Sequence, residues 1–455
     1  MKPYPAYRGC RLKWAERIPE HWNERRARFL FRAIDERSET GNEELLSVSH
    51  ITGVTPRSEK NITMFMAESY EGHKLCRPGD LVINSLWAWM AALGVSKHRG
   101  IISSAYHVYR QRDEKTFNPV YLDYLLRTRG YAGEYLIRSK GVWKSRLLLT
   151  PSDFFDIQIL MPPREEQDAI VAFLEAKELD VQTFIANKRR MIDLLKEQKT
   201  ALINRAVTGG LNPNAPLEPS GIPWLGDIPK HWLVFRIRSL IRSIDQGISP
   251  ISEEGLADDE HWGVLKSGCA NGGVFRPEEH KRLRANFQID PQIIVREGDV
   301  LVSRASGSVK LVGSTARVTG SKYRLVLSDK TFRLNFSDPR IIDFAVLAMN
   351  SWYYRKQLES VLSGAEGLPN NLPQSELKDL VIALPPPDEI ETICAAVTES
   401  SLRNDQTVAT AEREIALMEE YRTALIAAAV TGRIDVRANV AGTIARQSSL
   451  MEEPA

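Results

Sequence analysis

The same short segments occur twice along this chain, in the same order, while the stretches between them differ. Trp14, Ile18-Pro19 and His21-Trp22 return 210 residues later as Trp224, Ile228-Pro229 and His231-Trp232. Arg77-Pro78-Gly79-Asp80-Leu81-Val82 returns 219 residues later as Arg296-Glu297-Gly298-Asp299-Val300-Leu301. Each copy closes alike. Residues 156–163 (DIQILMPP) match 379–386 (DLVIALPP), and Thr200-Ala201-Leu202-Ile203 recurs as Thr423-Ala424-Leu425-Ile426, both at an offset of 223. Val207-Thr208-Gly209 matches Val430-Thr431-Gly432. The offset grows inside each copy and is constant over its closing segment. A fold of this kind has two equal frames around two unequal interiors.

After each proline pair the pattern changes from β-branched alternation to a long helical period. Ile170, Leu174, Val181, Phe184 or Ile185, Met191 or Ile192, Leu195, Leu202 and Val207 form an apolar stripe, and Ile393, Val397, Val408, Ile415, Met418, Leu425 and Val430 form its counterpart. Both segments open on prolines with an acidic first turn (Glu165-Glu166, Asp388-Glu389) and stop at a glycine, Gly209 and Gly432. A helix over 164–207 would be about 66 Å long, longer than most domains are wide. The second helix can bury its stripe only by lying antiparallel along the first, which predicts a pseudo-twofold molecule.

The interiors read as mixed α+β. Strands are predicted over 80–85, 101–110 and 156–161 in the first copy and over 300–303, 324–335 and 379–384 in the second. Short helices are predicted over 120–127 and 340–350. The proline-rich segment 212–223 reads as a linker.

Composition bounds the chemistry. Cys10, Cys76, Cys269 and Cys394 lie far apart without a C-x-x-C pair, so neither a zinc site nor a disulfide framework is indicated. There is no signal-like start and no apolar run long enough to span a bilayer, so a soluble cytoplasmic protein is expected. Charge is uneven. Residues 1–163 hold 25 basic against 18 acidic groups, a balance of +7, and residues 387–455 hold 6 against 12, a balance of −6. The first segment could face a polyanion and the acidic end a protein.

Catalytic motifs appear only in imitation. Residues 307–315 (GSVKLVGST) lack the Lys before Ser/Thr that would reach a phosphate. The proline runs at 161–163 and 385–387 lack the flanking amide and aromatic of an amino-methyltransferase motif. Glu175-Ala176-Lys177 has a nuclease-like E-x-K, but on a helix these two side chains point apart. His21 and His231, each beside a tryptophan, read as packed structural corners rather than a catalytic pair.

The paired I-P-x-H-W segments, the proline-acidic helix starts and the twin T-A-L-I-x-x-A-V-T-G helix ends resemble the specificity subunit of type I restriction–modification systems. Trp87-Ala88-Trp89, Leu93-Gly94-Val95-Ser96 and residues 100–106 also look like a target-recognition domain of that family. The resemblance spans roughly residues 14–435. It implies an α+β fold of two similar target-recognition domains separated by two long helices in an antiparallel coiled coil. Domain 1 would occupy 1–163, helical spacer 1 164–211, domain 2 212–386, helical spacer 2 387–435 and a flexible tail 436–455.

The implied protein is a non-catalytic subunit that reads a bipartite, asymmetric site in double-stranded DNA. Its expected partners are two modification (methyltransferase) subunits and, in a complete restriction enzyme, motor–nuclease subunits, with no membrane involved. S-adenosylmethionine, and ATP with Mg, would be held by those partners and no cofactor by this chain. Two departures stand out: Pro387-Asp388-Glu389-Ile390 lacks the glutamine found at Gln167, and Asn404 and Glu414 interrupt the apolar match.

Base-reading residues do not follow from the resemblance, because recognition domains differ there. Arg and Lys suit guanine or phosphate, and Asn and Gln suit adenine. The loop-like candidates are Lys97, His98, Arg99, Lys140, Lys144 and Arg146 in the first copy and Lys266, Arg304, Lys310, Lys330, Asn370 and Asn371 in the second. Trp87, Trp89 and Trp143 would either stack on an extruded base or pack in the core, packing being the commoner fate of such residues. A coiled-coil scaffold whose two domains bind proteins is the alternative function. A fused methyltransferase has no room in a chain used up by two repeats.

Overall fold

The computed structural model describes residues 2–60, 69–141, 147–285, 287–362 and 370–438. The chain divides into two compact units, Met1–Lys188 with Glu412–Ala455, and Arg189–Ala411. The division falls within the two long helices, Arg164–Gly209 and Pro387–Val430, and not at their starts. Each unit therefore contains the beginning of one long helix and the end of the other. In the first unit Ile170, Val171 and Leu174 share a core with Leu425, Ala429 and Val430. In the second, Ala206 and Val207 share a core with Ile390, Ile393 and Val397.

These shared cores make the helix pairing antiparallel, as the stripes require. Polar contacts fix the register: Arg422 pairs with Glu178 at 2.5 Å and Lys188 with Glu414 at 2.5 Å in the first unit. In the second unit Lys199 pairs with Asp405 at 2.8 Å, and Asn404 donates to the Leu195 carbonyl at 3.5 Å. The two residues that break the apolar match thus reach across to the other helix. Of Met191 and Ile192, the alternatives at one step of the stripe, Ile192 is buried and Met191 exposed. Among the described residues no helix is long and apolar enough to cross a membrane.

The frame of each unit is a four-stranded sheet with equivalent strand order. In the first unit the order is Phe31–Ile34, His107–Gln111, Leu81–Ile83, Leu93–Val95, all antiparallel. In the second it is Ile241–Gln246, Thr331–Phe336, Val300–Ser303, Thr315–Arg317. A two-stranded ladder leads into each long helix: Asn23–Arg26 with Gln158–Met161, and Leu233–Arg236 with Val381–Leu384. Helices Pro119–Leu126 and Ile342–Met349 match the expected short helices.

Some expectations need correction. The strand expected over 101–110 is two strands, Gly100–Ile102 and His107–Gln111, separated by a turn closed by Tyr106 N–H on the Ser103 carbonyl at 3.0 Å. The strand expected over 324–335 is likewise split, into Leu325–Val326 and Thr331–Phe336, by a turn in which the Thr331 hydroxyl takes the Ser328 N–H at 3.1 Å. Alternation alone cannot see a Ser-rich reversal inside an apolar run. The linker over 212–223 contains strand Leu217–Pro219, paired with Asp227–Pro229, as Tyr7–Gly9 pairs with Arg17–Pro19 in the first unit. The tail expected from 436 begins with Val436 fully buried in the first unit; residues 439–455 lie outside the described ones.

The repeated I-P-x-H-W segments form a corner where both long helices meet their domain. Trp22 and Trp232 are 1% and 2% exposed. Each donates its indole N–H at 3.1 Å to a glutamate in the first turn of a long helix, Glu166 and Glu389. The end of the other helix closes the corner. Gly432 has φ +74°, and a Cβ there would lie 2.4 Å from Pro19 Cδ and 3.1 Å from the Trp22 ring. Gly210 has φ +68°, and a Cβ there would lie 2.8 Å from the Glu389 carboxylate and 3.3 Å from the Trp232 ring. Only glycine meets both demands. The glycine that ends the first helix is therefore Gly210, one residue beyond the expected Gly209, which is still helical.

Candidate nucleic-acid interface

Each central sheet has one end fixed by a repeated salt bridge and the other left to unlike loops. At the fixed end, the glycine turns 77–80 and 296–299 fold back so that Asp80 Oδ2 takes the Arg77 N–H and Asp299 Oδ2 the Arg296 N–H, both at 2.9 Å. Gly79 and Gly298 supply the left-handed residue, with φ +89° and +90°. Buried Asp80 then receives a two-pronged bond from Arg110 at 2.7 and 2.8 Å, and Arg333 bonds Asp299 at 3.1 Å and Asp245 at 2.7 Å. Arg110 also holds Glu36 at 3.0 Å, and this hydrogen bond keeps the Glu36 carboxyl below its usual range. Asp245 is pushed up by burial, but hydrogen bonds from Asn335 and Arg333 outweigh that and hold it low.

The other end carries most of the candidates of the second unit. Arg304 follows the last residue of strand Val300–Ser303, and its guanidinium donates to the Asp329 carbonyl at 2.9 Å while lying 5.8 Å over the Phe332 ring. Its backbone N–H bonds the Lys330 carbonyl and its carbonyl accepts from Leu372 N–H, both at 2.9 Å. The next residues, Ala305–Ser306, pair with Asn370–Asn371. The fold thus gathers Arg304, Lys330, Asn370 and Asn371, with Lys330 and Asn371 exposed. Lys310 is exposed on the turn Val309–Leu311 of the same loop. Lys266 is exposed after strand Gly263–Leu265, which runs parallel to Leu325–Val326, the strand that leads to Lys330.

In the first unit the equivalent loop follows Leu81–Ile83 and carries aromatic rather than basic groups. Trp87 is 43% exposed and stacks on Trp89, ring centroids 5.9 Å apart. Neither the core nor a lone surface position describes Trp87, and nothing periodic in Leu86-Trp87-Ala88-Trp89-Met90 separates the two. Ala91 turns the loop in a left-handed conformation, φ +58°. Lys140 is exposed, 3.2 Å from Asp153, and its bridge partner Leu148 precedes Leu149, whose N–H bonds Ser85 in this loop. Lys97, His98 and Arg99 are not brought there. They form the turn after Leu93–Val95, held by Ser96 Oγ on the His98 carbonyl at 2.7 Å, at the fixed end of the sheet. Trp143, Lys144 and Arg146 lie outside the described residues.

Two antiparallel helices tied to two like frames that carry unlike loops are the features that set this fold apart. No family model matches the chain. It is 30% identical over 43% of its length to the type I restriction enzyme EcoEI specificity subunit of Escherichia coli, a stretch that spans 33% of that relative. It is 20% identical to the EcoKI specificity subunit of Escherichia coli strain K12, over 63% of this chain and 60% of that one. The StySPI specificity subunit of Salmonella potsdam is 22% identical over 71% and 67%. The fold matches a chain from a structural study of type I R-M system assembly and conformational transition, with a TM-score of 0.64 at 17% identity, over 92% of this chain and 99% of that one. It also matches the HsdS subunit of Thermoanaerobacter tengcongensis, with a TM-score of 0.51 at 18% identity, over 92% and 98%. In sequence and fold the chain is similar to type I restriction enzyme specificity subunits, and it spans from about a third to two thirds of the length of the curated relatives it matches.

Proposed function

We propose that this chain is the sequence-reading subunit of a type I restriction–modification system. It binds two separated half-sites in duplex DNA, one per unit, and directs adenine methylation, and restriction where a motor–nuclease partner is present. The observation that carries the reading is the contrast between like frames and unlike loops at one end of each sheet. Two identical readers would require a palindrome, whereas unlike loops on like frames suit an asymmetric, bipartite site.

On this reading the chain performs no chemistry. Two modification subunits supply S-adenosylmethionine and methyl transfer, and motor–nuclease subunits supply ATP with Mg. The cytoplasm is the setting. The loop-end group of Arg304, Lys330, Asn370 and Asn371 reads or brackets one half-site, and the Trp87 loop with Lys140, Lys144 and Arg146 the other. Lys266 and Lys310 supply phosphate contacts around the second loop. Lys97, His98 and Arg99, at the fixed end, meet backbone phosphates at most.

The test is duplex binding by the chain with co-expressed modification subunits across a salt series. Affinity that falls steeply with salt and favours one bipartite sequence supports the reading. Protein ligands on both units with no duplex binding would leave the scaffold alternative in its place.

A further inference from the structure

The unlike loops of the two units are built on one plan. In the first unit the loop 84–92 leaves strand Leu81–Ile83 and returns in Leu93–Val95; in the second the loop 304–314 leaves Val300–Ser303 and returns in Thr315–Arg317. One backbone hydrogen bond closes each neck, Asn84 N–H to the Ala92 carbonyl at 3.0 Å and Ser303 N–H to the Ser314 carbonyl at 2.9 Å. Each loop is also tied to the residues ahead of a short helix, by Leu149 N–H on the Ser85 carbonyl at 3.1 Å and Leu372 N–H on the Arg304 carbonyl at 2.9 Å. Each then reverses through one 3-10 turn, Ala88–Met90 or Val309–Leu311.

The sequences of these turns are unrelated, yet one property is common to both. Each presents two large apolar side chains to solvent, Leu86 with Trp87 and Val309 with Leu311, all 36–43% exposed. The loops bury Ala88 and Val312 fully, so the exposed residues are not what holds them folded. Nor are the supports loose. Trp87 N–H bonds the Asn84 carbonyl at 3.1 Å, the Trp87 carbonyl accepts from Met90 N–H at 3.0 Å, and Ala91 is held at φ +58°. Arg355 clamps the second turn by donating to the Val312 carbonyl at 2.5 Å. Cations flank both tips: Lys310 stands exposed between Val309 and Leu311, with Arg304 and Lys330 at the base of that loop, and Lys140 lies exposed beside the first. A rigid apolar tip among cations suits a polyanion with an apolar interior, and stacked base pairs inside a phosphate backbone are such a target.

We propose that each tip is a wedge, Leu86 with Trp87 in the first unit and Val309 with Leu311 in the second, that enters a base step of the bound duplex and unstacks it. The inference rests on the specificity-subunit reading and adds a second source of selectivity to contacts with base edges. Steps that unstack easily, pyrimidine followed by purine, are favoured at the wedge, so part of each half-site is read without a hydrogen bond to a base.

The test uses the chain with co-expressed modification subunits on duplexes that contain its mapped site. 2-Aminopurine, whose fluorescence rises on unstacking, replaces each purine of the half-sites in turn, the adenines to be methylated excepted. The unaltered chain is expected to raise the signal several-fold at one step of each half-site. Leu86→Ala with Trp87→Ala should abolish the rise in the first half-site alone, and Val309→Ser with Leu311→Ser the rise in the second, whereas Trp87→Phe should keep it. Each double variant should bind at least about fivefold more weakly, with the melting temperature of the chain unchanged. A mismatch at the step lowers the cost of unstacking and should tighten binding by the unaltered chain but not by the variant. A duplex bound specifically with no rise at any step, or a rise and Kd unaltered in the fourfold variant, would overturn the proposal. So would loss of modification subunits from the variant complex without DNA, read by native mass spectrometry, which would assign the tips to protein. Failure of the unaltered complex to prefer any bipartite duplex would instead remove the specificity-subunit reading.

Discussion

His21 Nε2 lies 2.7 Å from Oε2 of Glu166, and the same 2.7 Å separates His231 Nε2 from Glu389 Oε2 in the second unit. Each pair joins a domain to the first turn of a long helix. The glutamates are not equivalent in burial: Glu166 is 5% exposed and Glu389 28%. Glu166 also accepts from the Tyr4 hydroxyl at 2.5 Å, a bond without a counterpart at Glu389 among the described residues. Burial, with the neighbouring Glu166, pushes the Tyr4 phenol well above its usual range, so it remains a donor at any working pH.

This corner gives a stability prediction. Glu166→Ala strands the buried Trp22 N–H and Tyr4 hydroxyl and should cost about 2–4 kcal/mol. Glu389→Ala should cost less, since one indole N–H and a half-exposed histidine are affected. Urea denaturation of the two variants checks the order, and an equal or greater loss at Glu389 would contradict it.

The second prediction concerns acid. Glu36 titrates below its ordinary value of 4.5 in the folded chain because Arg110 bonds its charged form. A depressed carboxyl favours folding above the unfolded pKa and loses that contribution as pH falls through the folded one. Stability should therefore decline below about pH 4.5, and Glu36→Gln should flatten part of that decline while lowering stability at pH 7. Denaturation midpoints across pH 3 to 7 read this directly; an acid limb of unchanged slope in the variant would count against it.

Much of this architecture was legible in the sequence because it is written twice. The two long helices, their acidic starts and their antiparallel pairing follow from period and repetition, and Glu166 and Glu389 could have been identified as corner residues from their shared offset of 223. Gln167 shows the opposite case. It is fully buried and bonds Asn118 N–H and the Thr116 and Pro162 carbonyls at 2.8–3.0 Å, whereas Ile390 fills the matching place with hydrocarbon. One frame position is satisfied by polar and by apolar chemistry, so its role could not be read from the pattern. The loop ends were less legible still. Arg304 and Asn370 are 66 residues apart and meet only because Ala305–Ser306 pairs with Asn370–Asn371, a contact no local signal announces.

Arg304 provides a third prediction. Arg304→Ala should lower discrimination at one half-site by about 1–3 kcal/mol if the guanidinium reads a base edge. Competition binding against single-base variants of that half-site measures it. A uniform loss across all sequences would make Arg304 a phosphate contact.

A fourth prediction tests the long helices as a ruler. Duplicating residues 200–203 adds about 6 Å of helix and a rotation of about 40° beyond one turn. The half-sites should stay the same and their separation grow by one or two base pairs, with some loss of affinity. An unchanged spacer in an active complex, or altered bases within either half-site, would contradict the ruler.

The central claim is that two independent readers share one frame. Its most direct test is a map of methylated adenines in cells that express the modification subunit with either this chain or a chimera in which residues 20–160 come from another family member. The account predicts a bipartite motif for the unaltered chain and a chimera motif in which one half is new, the other half identical and the spacer unchanged. A single contiguous motif, or a chimera in which both halves change, would contradict it.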